Sequence, residues 1–251
     1  MSAPPKSLRG RAAIPDVGRL FRAGTYVAWI GPFLVLSLLT ALAFVPAFLT
    51  AKAVADFGFG RHPAVQAFLL GLSIPVGYLV FTVALLLVLP ASRWLLGIRS
   101  KVGDTPMRSL ALAPWYHQLA TTYLFRALCG RFVQATGLYH LFARLMGAKV
   151  GRNVVLNSTN LYDLDLHRYG DGALVGGDAY LIGHVVERGV LHRAPITLGA
   201  GASVGLGAVV LPGATLGANC HVGAMSLVPK GATLDANAIY AGNPVRKVRD
   251  L

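Results

Sequence analysis

Acidic residues are scarce in this chain. Of 251 residues only ten are Asp or Glu, against 23 Lys and Arg, so the formal charge is +13. Glu187 is the one glutamate, and the other acids are aspartates. Charged residues make up 13% of the chain, roughly half the ~25% of an average soluble domain, which points to a membrane component. Cysteine is nearly absent: Cys129 and Cys220 stand in regions of different character, so no disulfide framework is read and a reducing cytosol fits. Also missing is any interleaving of basic residues with aromatics on one surface. The aromatics fall mainly in apolar stretches, which argues against nucleic acid and for an anionic membrane as the partner of the positive charge.

Charge vanishes altogether from Ala23 to Ala51 and from Pro63 to Ser92. Each run exceeds the ~20 apolar residues needed to cross ~30 Å of hydrocarbon. Pro32, Pro46 and Pro75 fall inside the runs, and membrane helices tolerate such breaks. The length of the first run and the second span that follows argue against a signal peptide. Lys6, Arg9, Arg11, Arg19 and Arg22 precede the first run, while Arg93, Arg99, Lys101 and Arg108 follow the second. The connecting loop holds only Lys52 and Arg61, partly offset by Asp56. Positive charge on the inner side therefore predicts a multi-pass protein of the cell (inner) membrane with both termini in the cytoplasm.

Four regions follow: a basic N-terminus over 1–22, a two-helix transmembrane hairpin over 23–92, amphipathic helices over 93–146, and a repeat domain over 147–251. In the third region Leu124, Leu128 and Phe132, then Leu138, Phe142 and Leu145, are spaced as helical stripes. Such helices either lie in the membrane interface or pack against the spans.

From Leu198 the chain divides into hexapeptides: LGAGAS, VGLGAV, VLPGAT, LGANCH, VGAMSL, VPKGAT, LDANAI. A large aliphatic residue recurs at Leu198, Val204, Val210, Leu216, Val222, Val228 and Leu234. A small one follows four residues later, at Ala202, Ala208, Ala214, Cys220, Ser226, Ala232 and Ala238. A fixed short period of this kind marks a solenoid in which each unit buries its core only against the next. Three hexapeptides make one triangular coil, with the aliphatic residues stacked inside. The fold class is therefore a membrane-anchored all-β solenoid, a left-handed parallel β-helix. Upstream the register continues through Val150, Leu156 and Tyr162, and through Tyr169, Val175 and Leu181. It is broken by a one-residue slip near Leu164–Arg168 and by an insertion from Gly183 to Ala194. Insertions in a solenoid become loops on one face, often the functional one.

The insertion holds His184, Glu187, Arg188, His192 and Arg193. A histidine and a glutamate three apart can supply a general base and an orienting group. Asp163, Asp165 and His167 stand at the slip, one coil away. The aspartates can orient the histidine, hold an acceptor amine, or simply form the turn. His184, His192 and His221 form no recognisable ligand pair, so no metal is expected. No serine or cysteine lies in a nucleophile motif. Lys230, Arg246, Lys247 and Arg249 cluster near the C-terminal corner Gly242–Asn243–Pro244, where a phosphorylated cofactor or a plain charged cap would suit.

The stretch APITLGAGASVGLGAVVLPGATLGANCHVGAMSLVPK and the tail AGNPVRKVR resemble hexapeptide-repeat acetyltransferases of the maltose and galactoside O-acetyltransferase type. The resemblance implies that His184 is the general base acting on an acceptor hydroxyl. It also implies a trimer with acetyl-CoA in the groove between subunits, near Lys230, Asn243, Pro244 and Arg246. Ser203 stands where that family usually has a tryptophan. The order of apolar spans, LYHLFARLMGAKVGRNV, LYDLDL and GHVVERGV also resembles the C-terminal membrane region of poly-lysine-synthetase-type nonribosomal peptide synthetases, where a His-x-x-Glu matches His184 and Glu187. The favoured expectation is acyl transfer from a CoA thioester to a hydroxyl or amine. His184 and Glu187 would be catalytic, and Asp163, Asp165 and His192 would be near the acceptor. The alternatives are amide or peptide bond formation with an aminoacyl group delivered by a carrier protein, and a non-catalytic membrane scaffold.

Overall fold

The computed structural model describes residues 19–251, with side chains from 31 onward apart from 32. Lys6, Arg9 and Arg11 of the basic N-terminus lie outside the described residues. The two uncharged runs form long helices, α1 (Arg19–Phe57) and α2 (Pro63–Leu95). Pro63 opens α2, where a missing N–H costs nothing, and His62 caps it by accepting from the amide of Ala64. The helices lie close because small residues meet: a Cβ on Gly77 would stand 2.9 Å from the Cβ of Ala51. Phe33–Phe57 and Pro63–Leu95 are long and apolar enough to cross a membrane, and their outer surfaces leave Phe33, Leu38, Phe48, Phe68 and Ile74 exposed. The last turns of α2 differ, because Leu85, Leu86 and Leu89 are fully buried in the core shared with the rest of the chain.

The third region folds as α3 (Ala113–Phe125), a π turn over Arg126–Gly130, a short turn α4 (Arg131–Val133) and α5 (Gly137–Leu145). Its buried stripe runs through Phe125, Cys129 and Val133, one residue later than the stripe read from the sequence. Both sets have helical spacing, and packing decides between them. Phe125 stacks on Phe142 with ring centres 3.8 Å apart, which turns Leu128 and Phe132 outward. The inner face packs against α2 and the first coil in one continuous core, while the outer face still exposes Leu128, Phe132 and Leu141.

The hexapeptides stack as a parallel β-helix with three sheets. Thr197 pairs with Thr215 and Thr215 with Thr233, eighteen residues apart each time, as three hexapeptides per coil require. Leu198, Val204, Val210, Leu216 and Val228 are buried and stack between coils, each contributing about 1.5–3 kcal/mol of apolar burial. The upstream slip becomes a 3₁₀ turn at Leu164–Leu166, so Lys149 pairs with Arg168, nineteen residues on. Arg168 in turn pairs with Thr197 twenty-nine residues on, eleven more than a plain coil. Those extra residues leave the stack as an arm. Strand His184–Glu187 turns at Arg188 and Gly189, both at positive φ, and returns as Val190–Arg193. Gly103–Pro106, from the linker after α2, adds a third antiparallel strand. At the far end, Arg246–Asp250 folds back antiparallel on Ala238–Ala241 and presents a charged, exposed strand that ends the stacking.

Two kinds of glycine serve the coils. Gly201, Gly207, Gly213 and Gly231 turn corners at positive φ, a place that Asn219, Met225 and Asn237 also fill. Gly199 is needed for space, since a Cβ there would come within 2.7 Å of the backbone of Gly217 and Ala218 in the next coil. Gly199→Val should therefore destabilise the chain by about 3 kcal/mol or more, as overpacking against backbone does. Gly231→Asn, in open space at a φ that asparagine accepts, should cost under about 1 kcal/mol. Thermal unfolding of the two variants measures the contrast, and equal losses would contradict it.

Candidate active site

The insertion is a β-arm, so its side chains alternate between two faces. His184 lies opposite Arg193 and Arg193 opposite Gly103, as Val186 lies opposite Leu191 and Leu191 opposite Thr105. On this face Leu191 packs with Leu112, just before α3, and with Trp115 in it, while Val186 stays exposed. Val185, His192, Asp104 and Glu187 take the other face. A histidine and a glutamate three apart on a strand point in opposite directions, so the expected His184–Glu187 pair does not form.

The partner of His184 is Asp163. His184 Nδ1 and Asp163 Oδ2 are 2.5 Å apart, and the Asp163 side chain is 1% exposed. Asp163 adopts the left-handed conformation, φ 63°, at the corner where the 3₁₀ turn begins. That places its carboxylate beside Gly183, where a Cβ would stand 2.9 Å from the Cβ of Asp163. Its second oxygen accepts from Trp115 Nε1 at 2.8 Å, and the Trp115 ring meets His184 edge to face, 5.0 Å between centres. With Nδ1–H donated to the carboxylate, Nε2 carries the lone pair. Nε2 has no hydrogen-bond partner among the described residues, and the His184 side chain is 19% exposed. The arrangement leaves Nε2 as a proton-accepting atom held in a fixed orientation.

Asp165 is placed otherwise than expected. It is 7% exposed and accepts from Arg93 at 3.2 Å, from the backbone amide of Ser100 and from Gln118. Its oxygens are occupied within the protein, tying α2, the linker and α3 together. Arg193 is buried behind the arm, donates to Thr105 at 2.8 Å and feels both aspartates. Burial pulls its pKa down and the carboxylates oppose that shift.

The outer face of the arm walls a separate groove of about 320 Å³. Glu187 pairs there with Lys230 at 2.5 Å, and the ammonium holds the carboxyl below its usual pKa range. His192 pairs with Asp104 at 2.6 Å in the same groove. Asn243, Pro244 and Arg246 are exposed on the C-terminal turn, whose backbone is bonded to Leu227. His221 lies in a regular coil against Ser203, far along the chain from the arm, and no group of three ligating side chains gathers among the described residues.

Two partners escaped the sequence reading. Trp115 and Asp104 lie 48 and 88 residues from the groups they bind, and nothing in the local pattern signals such pairs. An isolated tryptophan opening an amphipathic helix was the one available hint.

No family model matches the chain, and no curated protein matches it. Among solved structures it is similar to a maltose O-acetyltransferase from Clostridium difficile 630, at 15% identity and TM-score 0.43, over 59% of this chain and 93% of that one. It is similar at 16% identity and TM-score 0.43 to a hexapeptide-repeat-containing acetyltransferase from Vibrio cholerae complexed with acetyl coenzyme A, over 57% of this chain and 90% of that one. A hexapeptide transferase family protein from Anaplasma phagocytophilum is similar at 20% identity and TM-score 0.31 over 41% of this chain, which spans about half (55%) of that protein.

His167, next to the site, carries a pH prediction. It is fully buried, bonded to Tyr169 at 2.8 Å, and burial lowers its pKa to about 4 despite the two nearby aspartates. Unfolding restores an ordinary value near 6.5, so the unfolded chain binds the extra proton first. The stabilisation is complete above about pH 6.5 and is lost as the pH falls toward 4. Thermal unfolding between pH 7 and about 4.5 should show this decline, and His167→Gln should flatten it. An unchanged slope in the variant would remove His167 as the cause.

Proposed function

We propose that this protein is a membrane-anchored, left-handed β-helical acyltransferase that moves an acyl group from a CoA thioester to a hydroxyl or amine. The observation carrying this reading is the Trp115–Asp163–His184 chain, which ends in a free, partly exposed Nε2 at the root of the arm. His184 takes the proton from the acceptor as it attacks the thioester carbonyl. Asp163 keeps Nδ1 protonated and offsets the charge on the imidazolium. Backbone amides near the insertion stabilise the oxyanion, and the proton passes to the leaving thiol.

The donor's phosphate end is read along the groove beside Lys230, with Asn243, Pro244 and Arg246 on the neighbouring corner, and its long pantetheine chain would pass the root of the arm to bring the thioester to the face that carries His184. Exposed pairs such as Lys230–Glu187 are weak, so a phosphate can displace the carboxylate. The prism sides of the β-helix suit a trimer that closes this groove between subunits, and a monomer by native mass spectrometry in mild detergent would count against it. The exposed apolar surfaces of α1 and α2 support a membrane hairpin, and the basic residues flanking it favour a cytoplasmic β-helix. A cysteine introduced at Asn153 should then resist an impermeant thiol reagent applied to intact cells, and modification there would reverse the orientation.

His184→Ala should lower turnover by roughly 100-fold to 10,000-fold, the usual contribution of a general base. His192→Ala should cost much less, because His192 faces the opposite side of the arm and is bonded to Asp104. Thiol release from acetyl-CoA with a panel of amines and alcohols reads both. Equal losses in two folded variants would end the single-base mechanism.

A further inference from the structure

Away from His184, two cavities meet at one residue, Tyr78 of α2. The first, about 420 Å³, is lined by Tyr78, Tyr123, Arg126, Leu128, Arg131 and Phe132. The second, about 320 Å³, runs between α1 and α2 past Phe44, Phe48, Ile74, Gly77 and Phe81. Its wall is almost wholly carbon, and it stays open because Gly77, Ala47 and Ala51 are small where the phenylalanines are large. The Tyr78 hydroxyl is spent on the carbonyl of Leu128, at 2.7 Å in the π turn. A chamber of mixed lining with two guanidinium groups thus shares Tyr78 with an apolar slot.

The charge of the first cavity is only partly compensated. No carboxylate lines it. Arg126, half-buried, bonds the Tyr162 hydroxyl and has no ion pair among the described residues. Arg131 is exposed, with Asp178 at a loose 3.7 Å. A half-buried cation without an acid calls for an anion from outside. The depth fits as well. Tyr78 lies fifteen residues after Pro63, about 22 Å at helical rise, so the arginines fall near the far boundary of a ~30 Å hydrocarbon layer, within side-chain reach of it.

Resting on the membrane reading above, we infer that this paired cavity holds one anionic phospholipid. Its phosphate lies between Arg126 and Arg131, and one acyl chain fills the slot between α1 and α2. The lipid completes the contact between the hairpin and α3, at a place separate from His184.

The test is native mass spectrometry of the full chain in mild detergent with phosphatidylglycerol, phosphatidylcholine or inorganic phosphate added. One retained phosphatidylglycerol per chain is expected, with phosphatidylcholine much weaker. Arg126→Gln should reduce retention on the order of tenfold, as loss of a charge-assisted hydrogen bond would. Arg131→Gln, at an exposed position that cannot unfold the core, should act in the same direction. Equal retention of the two lipids, or no effect of either variant, overturns the proposal. Displacement of the lipid by inorganic phosphate alone would make this a phosphate site and overturn it equally. Alkaline carbonate washing of vesicles tests the membrane reading separately. A chain stripped from the membrane defeats both, while one that stays but shows no lipid preference defeats only the lipid site.

Discussion

A carboxylate taken out of water needs donors and cations in place of its lost hydration. Asp163 and Asp165, two residues apart at the corner that ends the first coil of the β-helix, meet that condition with groups from four other parts of the chain. Asp163 gathers Trp115 of α3 and His184 of the arm, and Asp165 gathers Arg93 of α2, Ser100 of the linker and Gln118 of α3. Removing either carboxylate would leave buried donors without acceptors, so the corner fixes how helices, linker and arm meet the coils. The position of the candidate base is a consequence of that joint.

The arm then divides the chemistry. Because strand residues alternate, one face brings His184 to the buried aspartate, and the other brings Glu187 and His192 to Lys230 and Asp104. A proton-accepting group and a charged groove are thereby kept on opposite sides of a thin, three-stranded wall. The same alternation sets Arg193 opposite His184 on the neighbouring strand, where it donates to Thr105 and faces the same two aspartates.

The coils were legible because each hexapeptide is constrained locally: an inward aliphatic at Leu198 or Val210 and a small residue four places on leave few alternatives. The slip at Leu164–Arg168 and the insertion at Gly183–Ala194 were legible as breaks in that count. The strand character of the insertion was not, because the pattern that makes it a sheet includes Gly103–Pro106, nearly ninety residues away. For the same reason Glu187 was read as the partner of His184, whereas the carboxylate that reaches it comes from the preceding coil. In the helices, equal spacing of the Leu124 and Phe125 stripes left the choice to the Phe125–Phe142 stack, which no local period encodes.

The central claim is that Asp163, and not Glu187, makes His184 a base. Its most direct test is the turnover number for acyl transfer from acetyl-CoA by the full chain carrying Asp163→Asn or Glu187→Gln. An asparagine amide donates to Nδ1 and favours the wrong tautomer, so Asp163→Asn should lower turnover by about 100-fold or more. Glu187→Gln should leave turnover within about threefold and act mainly on donor affinity, since it frees Lys230. A large loss of turnover in Glu187→Gln beside near-normal turnover in a folded Asp163→Asn would contradict the account.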